Sequence, residues 1–367
     1  MDTKSSDYKL FCDRILKGEE GIFFSVKNDL VGHQTYSGIG DKEQANFDKG
    51  PFPLFSINSF KGDKSHQWHF ADFKQSMNQL KTERIEALEA FESELCIDRL
   101  SDFTGEIEAS FKQKVETLKR AAENGEFWVA NFTQSLGGEL RPGTNVKLEA
   151  LKLFYEFLKL NQNHCGGVVI TSELIFCSLS PETFILQDSN LLKAFPIKGT
   201  GTEIDLKNSE KEIAELSMIT DLMRNDLGQI CDKVWVERER YLTQEQGFFH
   251  ARAEVQGQLK THGFNFNDLI SLLPAGSISG APKTRVLSLL KKLERFDRDF
   301  YTGTFGVRLG RDKTLLNILI RTLFLDKKKN TWNFPVGAGI TIESKPEDEW
   351  KETLQKAEIL KKITQPE

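Results

Sequence analysis

The chain has 367 residues, 39 % of them apolar and 28 % charged, with a formal net charge of −5. This is an ordinary globular composition, and the length allows either two domains or one large one. The acidic balance offers no basic face for nucleic acid or an anionic membrane. No apolar run reaches the length of a bilayer span, and the opening MDTKSSDYKLF lacks the apolar centre of a secretion signal. Five cysteines (Cys12, Cys96, Cys165, Cys177 and Cys231) are scattered with no C-x-x-C pair. That pattern predicts free thiols in a reducing cytoplasm rather than a disulfide framework.

Residues 1–66 read as short strands and turns, with apolar runs at 21–26 and 52–57. From residue 70 to 124 the sequence is charged and helical, and 111–122 alternates apolar and charged residues at helical spacing. Residues 127–133 read as a buried strand, 145–160 as an amphipathic helix, and 168–170, 174–179 and 183–187 as further strands. Beyond Phe195 strands and helices alternate irregularly, with frequent hairpin signals. This predicts an α+β architecture rather than a doubly wound parallel sheet.

Two acidic pairs stand out. In residues 212–226, Leu216, Ile219, Leu222 and Met223 form a helical stripe, and Glu212 and Glu215 fall on the same stripe. A carboxylate facing a core needs a partner. A divalent cation is one, since hard cations take oxygen ligands; solvent or an arginine at the helix edge is the other. In residues 344–352, Ser344 and Glu347 have capping-box spacing and Pro346 suits a first helical turn, so Glu349 and Glu352 sit one turn apart on a second helix. Acids in a first turn also complement the helix dipole without any ligand. If both pairs converge on one Mg²⁺, which borrows ligands from anionic substrates, the substrate is an acidic small molecule.

Residues 199–201, 275–282 and 337–339 form three small-residue loops whose amides can approach an anion closely, or which are simply tight turns. The apolar period after Pro282 predicts a helix there. None has the spacing of a nucleotide-binding loop. Lys198 lies between apolar residues and a glycine turn, which suits either a nucleophile of lowered pKa or a snorkelling surface lysine. Glu182 lies one strand and turn earlier, and a hairpin would bring it beside Lys198 as an acid. Arg321 ends an apolar run and can fork onto a carboxylate. His250 can act as acid or base, or pack in the core. His66 and His69 have no third ligand nearby and are read as no site.

The strings SLSPETF, FPIKGTGTE, NSEKEIAELSMITDLMRNDLGQIC, LLPAGSISGAPKTRVLSLLKKLE, YTGTFG, LIRTL and VGAGITIESKPEDEWKETLQKAE follow one another over residues 178–358. In these the chain resembles the chorismate-utilising enzymes, above all the aminodeoxychorismate synthase component I type of the para-aminobenzoate branch of folate biosynthesis. The resemblance implies two packed, largely antiparallel β-sheets with helices outside. Residues 1–110 would be a reduced first segment and 111–367 the catalytic core of one unit. It implies Mg²⁺ on Glu215 and Glu352, supported by Glu212 and Glu349. It implies chorismate contacts from Gly199, Thr200, Gly276, Ser279, Arg321, Gly337, Ala338 and Gly339, with His250 as the active-site histidine. Lys198 would attack C2 of the ring while Glu182 protonates the departing C4 hydroxyl; related anthranilate and isochorismate synthases carry alanine at that lysine. The base lysine of isochorismate formation is missing from residues 128–131. Ammonia would come from a separate glutamine amidotransferase subunit in a cytoplasmic heterodimer. The chain departs from the family at Val307 (usually tyrosine), Leu315 (aspartate), Ala253 (serine) and Val129 (glutamine).

Overall fold

The computed structural model describes residues 7–28, 32–44, 50–76, 85–91, 95, 108–160, 164–201, 203–245, 248–260 and 265–364. Among these, seventeen strands join into one hydrogen-bonded ribbon, and every pairing is antiparallel. From Gly280–Ala281 the ribbon passes through Val129–Glu139, Thr331–Ile340, Thr322–Asp326, Ile175–Ser178 and His164–Ile170 to Gly21–Asn28. It continues through Gly32–Gln44, Ser65–Ser76 and Leu54–Asn58 to Thr304–Gly310, Lys313–Ile318, Thr183–Asp188, Leu191–Ala194 and Phe248–Leu259. Ile197–Gly201 and Cys231–Glu245 pair with that last strand.

The ribbon doubles back on itself. Ile22, Phe24, Val169 and Phe176 of one half pack with Phe55, Phe305, Val307 and Leu315 of the other in one apolar cluster. The Phe305 ring meets Phe24 and Phe176 edge-on at 5.0 and 5.3 Å, and each such buried ring contributes about 2–3 kcal/mol by burial. The α+β class, with packed antiparallel layers and helices outside, is therefore as expected. The two layers are not separate sheets but the halves of one ribbon, continuous through Gly32–Gln44 and Ser65–Ser76. Residues 1–110 supply the middle of that ribbon, because Gly21–Asn28 pairs with His164–Ile170 and Leu54–Asn58 with Thr304–Gly310.

Helices cover the outer faces. Asp7–Leu16, Val146–Lys159 and Pro346–Thr364 bury one apolar cluster, Glu210–Gly228 and Phe266–Ser271 a second, and Glu108–Glu123 with Lys283–Leu293 a third. Asp7–Leu16 replaces the strands and turns expected near the N-terminus; Tyr8, Phe11, Cys12 and Ile15 form its buried face. Asn145 caps Val146–Lys159 through the Leu148 N–H, and Ser209 caps Glu210–Gly228 through the Glu212 N–H. Each such cap is worth about 1 kcal/mol. The helix at Pro346 starts where expected, but the Ser344 hydroxyl accepts the Thr341 N–H, so the anticipated capping box is absent. Cys12, Cys165, Cys177 and Cys231 are free and buried, while Cys96 lies outside the described residues. No described helix is long and apolar enough to cross a membrane.

Candidate active site

The two ends of the ribbon meet at Lys198. Its strand, Ile197–Gly201, pairs with Phe248–Leu259, and the register slips between Lys198 and Thr200. Such a bulge bends the strand and re-aims its side chains. Gly199 supplies the positive φ of 83°, which an L side chain adopts only at a cost. A Cβ at Gly199 would also stand 2.5 Å from Glu212 Oε2, so the missing side chain lets the acidic helix close in. On the other side, a Cβ at Gly339 would lie 2.6 Å from Lys198 Nζ. Gly339 belongs to Thr331–Ile340 at the opposite end of the ribbon, paired with Asn131. Residues 199–201 and 337–339 are therefore strand glycines and not loops. They are small because another strand or helix presses against them.

Lys198 Nζ lies 2.8 Å from Glu215 Oε2, with side chains only 21 % and 7 % exposed. Burial alone would lower the lysine pKa. Burial is the largest single influence, but Glu215, Glu352 and Glu212 together outweigh it, and the net shift is upward. The lowered pKa expected for a nucleophile is thus not found in this arrangement, where Lys198 is an ammonium held by carboxylates. Glu182 behaves in the opposite way. It is buried at the start of Thr183–Asp188, and burial raises its pKa to about 7 against the opposing pull of Arg252, a Ser277 hydrogen bond (3.5 Å), Lys198 and Lys356. Thr183–Asp188 and Leu191–Ala194 form the anticipated hairpin, and Glu182 and Lys198 lie within each other's electrostatic reach. A carboxyl that is partly protonated at neutral pH can serve as a proton donor.

A narrow cavity of ≈ 20 Å³ adjoins the lysine, lined by Val129, Asn131, Ile219, Gly276, Ser277, Gly280 and Gly339. Gly276 is present as expected, but its N–H is committed to Asp226 Oδ2 at 2.9 Å. Ser279 is fully buried and its hydroxyl donates to the Ala275 carbonyl, so Ser277 is the serine that faces the cavity. Gly337 gives its carbonyl to Lys356, and Ala338 is buried in the core. His250 is buried, in register with Thr200 across the strand pair; the Thr200 side chain lies outside the described residues. Arg321 adopts a left-handed φ of 48°, and its carbonyl accepts the Leu179 N–H just before Glu182. His66 and His69 lie on Ser65–Ser76 and take part in no metal cluster among the described residues.

Three residues escaped the sequence reading. Asp226 accepts from both Gly276 N–H and Lys283 Nζ (2.9 Å each), and so ties the Glu212–Glu215 helix to the cavity turn. Arg298 donates to the carbonyls of Ile278 and Asn131 and pairs with Glu294, whose carboxylate holds Thr133. Arg252 is buried, donates to Thr243 and acts on Glu182. Only the four-residue spacing of Glu294 and Arg298 could have signalled one of these.

The family departures fall in two places. Val129 lines the cavity. Val307 and Leu315 are cross-strand partners buried between the layers, so one apolar contact replaces two polar groups there rather than altering the cavity wall. Ala253 packs against Leu216 and Ala251.

The acidic residues fit a hard divalent cation by chemistry, being all carboxylate oxygen, and a cation already sits among them in the form of the Lys198 ammonium. Their arrangement is not yet a metal cage. Glu352 pairs with Lys356 at 2.7 Å, Glu349 is buried in the first turn of its helix, and no three described His, Cys, Asp or Glu side chains are gathered tightly enough to hold an ion. Glu215, Glu352 and Glu212 all act on the Lys198 amine.

An antiparallel ribbon folded into two layers with helices outside is a fold shared with solved isochorismate synthases and an anthranilate synthase component I. It superposes on the menaquinone-specific isochorismate synthase MenF of Escherichia coli with a TM-score of 0.76 over 99 % of this chain and 92 % of that one, at 14 % identity. Residues 32–362 match the family described as chorismate binding enzyme, and the chain belongs to that family. It is 32 % identical over 274 residues to anthranilate synthase component 1 1 of Haloarcula marismortui, covering 71 % of this chain and 54 % of that protein. It is 28 % identical over 264 residues to aminodeoxychorismate synthase component 1 of Bacillus subtilis, covering 68 % and 54 %. The chain thus spans about half the length of the curated relatives it matches.

Proposed function

We propose that the chain is an aminodeoxychorismate synthase component I, which aminates chorismate with ammonia to 4-amino-4-deoxychorismate in para-aminobenzoate and folate biosynthesis. The observation that supports this reading is Lys198 at the cavity wall with a protonatable Glu182 within its electrostatic reach, held by the cavity residue Ser277. In the proposed sequence Lys198 first gives its ammonium proton to the Glu215 carboxylate beside it; the amine then forms a bond to C2 of the ring, the ring double bonds shift, and the C4–O bond breaks. Glu182 gives its proton to the leaving hydroxyl, which departs as water. Ammonia then bonds to C4, and the C2–N bond breaks to release the lysine. Covalent catalysis of this kind divides one difficult displacement into two easier ones. Asn131 and Ser277 offer polar contacts to the substrate at the cavity wall. Glu215 and Glu352, with Glu212 and Glu349 behind them, are the residues that would hold Mg²⁺. When bound, the ion supplies positive charge to neutralise a substrate carboxylate.

A glutamine amidotransferase subunit is the proposed ammonia source and heterodimer partner. The second reading is anthranilate synthase component I, favoured by the relative of that name at 32 % identity. Both are tested by incubating the protein with chorismate, Mg²⁺ and ammonium and separating products by mass spectrometry. Aminodeoxychorismate is expected from the wild type and is expected to be lost in Lys198→Ala. Anthranilate with pyruvate as the sole products would replace the first reading by the second, and unchanged amination by the alanine variant would refute the lysine adduct.

A further inference from the structure

We infer that Arg298 is a positioning residue: buried behind the cavity that Lys198 adjoins, it fixes Asn131 and the Ser277 turn, the polar parts of the cavity wall, relative to one another. What the wall holds rests on the function proposed above; that one arginine sets its shape is an addition to it. Arg298 is only 4 % exposed. A guanidinium carries five N–H donors in a rigid fork, and here each of them is committed. Nε and one Nη2 donor take the two Glu294 oxygens, at 3.0 and 2.6 Å. The other Nη2 donor takes the Asn131 carbonyl. Nη1 takes the Ile278 carbonyl at 2.9 Å and the Thr302 hydroxyl at 3.4 Å.

These partners come from separate stretches of the chain. Asn131 belongs to Val129–Glu139 and lines the cavity. Ile278 follows Ser277 in the short helix Gly276–Ser279, and Ser277 both lines the cavity and donates to Glu182. Glu294 also accepts from the Thr133 N–H and hydroxyl, at 3.1 and 2.8 Å, and so holds the Asn131 strand a second time. The Thr302 N–H donates to the Leu319 carbonyl and the Leu319 N–H to the Gly303 carbonyl, two residues before Arg321. Thr302 has a φ of 60°, which a β-branched residue keeps only where its surroundings impose it. None of these segments can shift alone without leaving a buried charge or its partner unsatisfied. Lysine would keep the charge, but its three donors radiate from one nitrogen and cannot span both carbonyls and both carboxylate oxygens. Arg298 is not itself part of the cavity lining, so it acts through Asn131 and Ser277.

The test compares wild type with Arg298→Lys and with the paired variant Arg298→Met and Glu294→Gln. The paired variant leaves no buried charge without its partner, and its glutamine keeps an oxygen for Thr133. The full chain is assayed with MgCl₂ and ammonium by chorismate consumption, which reads either amination product. Isothermal titration with chorismate is run without ammonium, and hydrogen exchange is followed in peptides covering residues 129–133 and 275–281. Per folded molecule, kcat of both variants is expected to fall ~100-fold, as a wall displaced by ~1 Å would cause, while the chorismate dissociation constant moves by less than ~10-fold. Exchange is expected to quicken in the two wall segments and to keep its wild-type rate in the distant strand Gly21–Asn28. A lowered melting temperature with wild-type kcat and KM per folded molecule would make Arg298 a structural residue only and overturn the positioning role. Unchanged exchange in both wall segments would overturn it as well. A wild type that neither binds nor consumes chorismate would overturn the proposed function instead, and the exchange rates would then decide by themselves whether Arg298 fixes the wall.

Discussion

Glu182 makes folding stability depend on pH in a way that isolates one side chain. Its pKa rises from 4.5 to about 7 on burial. Each pKa unit corresponds to 1.36 kcal/mol, so the protonated form favours the folded state by about 3 kcal/mol relative to the ionised form. The sign follows from the direction. A carboxyl with a raised folded-state pKa contributes its stability below 4.5 and loses it as pH rises through 7, because the unfolded chain ionises first. Glu182→Gln keeps the shape and removes the titration. Urea denaturation of both proteins at intervals from pH 4 to pH 8 should show wild-type stability falling relative to the variant by about 3 kcal/mol and levelling above pH 7. The same profile should appear in catalysis, with turnover declining above pH 7 as the acid is lost. A stability difference that stays constant across the range would refute the buried, protonatable carboxyl and with it the acid role.

Two further outcomes follow from the packing. Gly339→Ala places a methyl group 2.6 Å from Lys198 Nζ, too close for both to keep their places; displacing the amine by ~1 Å should cut product formation ~100-fold, with the circular dichroism spectrum unchanged, and full activity in this variant would show that the lysine does not act from its observed position. Asp226→Asn weakens the link to Lys283 and the Gly276 amide inside the protein, and should cost roughly 3 kcal/mol in denaturant titration; a change smaller than about 0.5 kcal/mol would be the result of a surface pair instead.

The parts legible in the sequence were those governed by local periodicity and capping. The helices Val146–Lys159 and Glu210–Gly228 follow from apolar spacing and their Asn145 and Ser209 caps. The strand Thr183–Asp188 and the first half of Val129–Glu139 follow from runs of β-formers, whereas the continuation through Gly137 and Gly138 has no such signal. Asp7–Leu16 was also written in its spacing, since residues 8, 11, 12 and 15 trace one helical face, but the stripe is short and set among strand-like runs. What no local pattern holds is why a glycine is small. At Gly199 and Gly339 the cause is a carboxylate and an amine arriving from distant segments, so a turn and a crowded strand read alike. The acidic pairs are legible because each lies within one helix. Spacing identifies a shared helix face, whereas the cation facing Glu215 is fixed by tertiary contact, and in this structure it is Lys198.

The strand that bears Lys198 and the strand that bears Gly339 lie near opposite ends of a single hydrogen-bonded ribbon. Such distant segments come together only after loop-closure entropy has been overcome along the whole chain. A half-assembled protein, however rich in native hairpins, has no chemistry to offer. Turnover during refolding is therefore a direct clock for the closing of the ribbon, and it should lag behind the recovery of strand signal in the far ultraviolet.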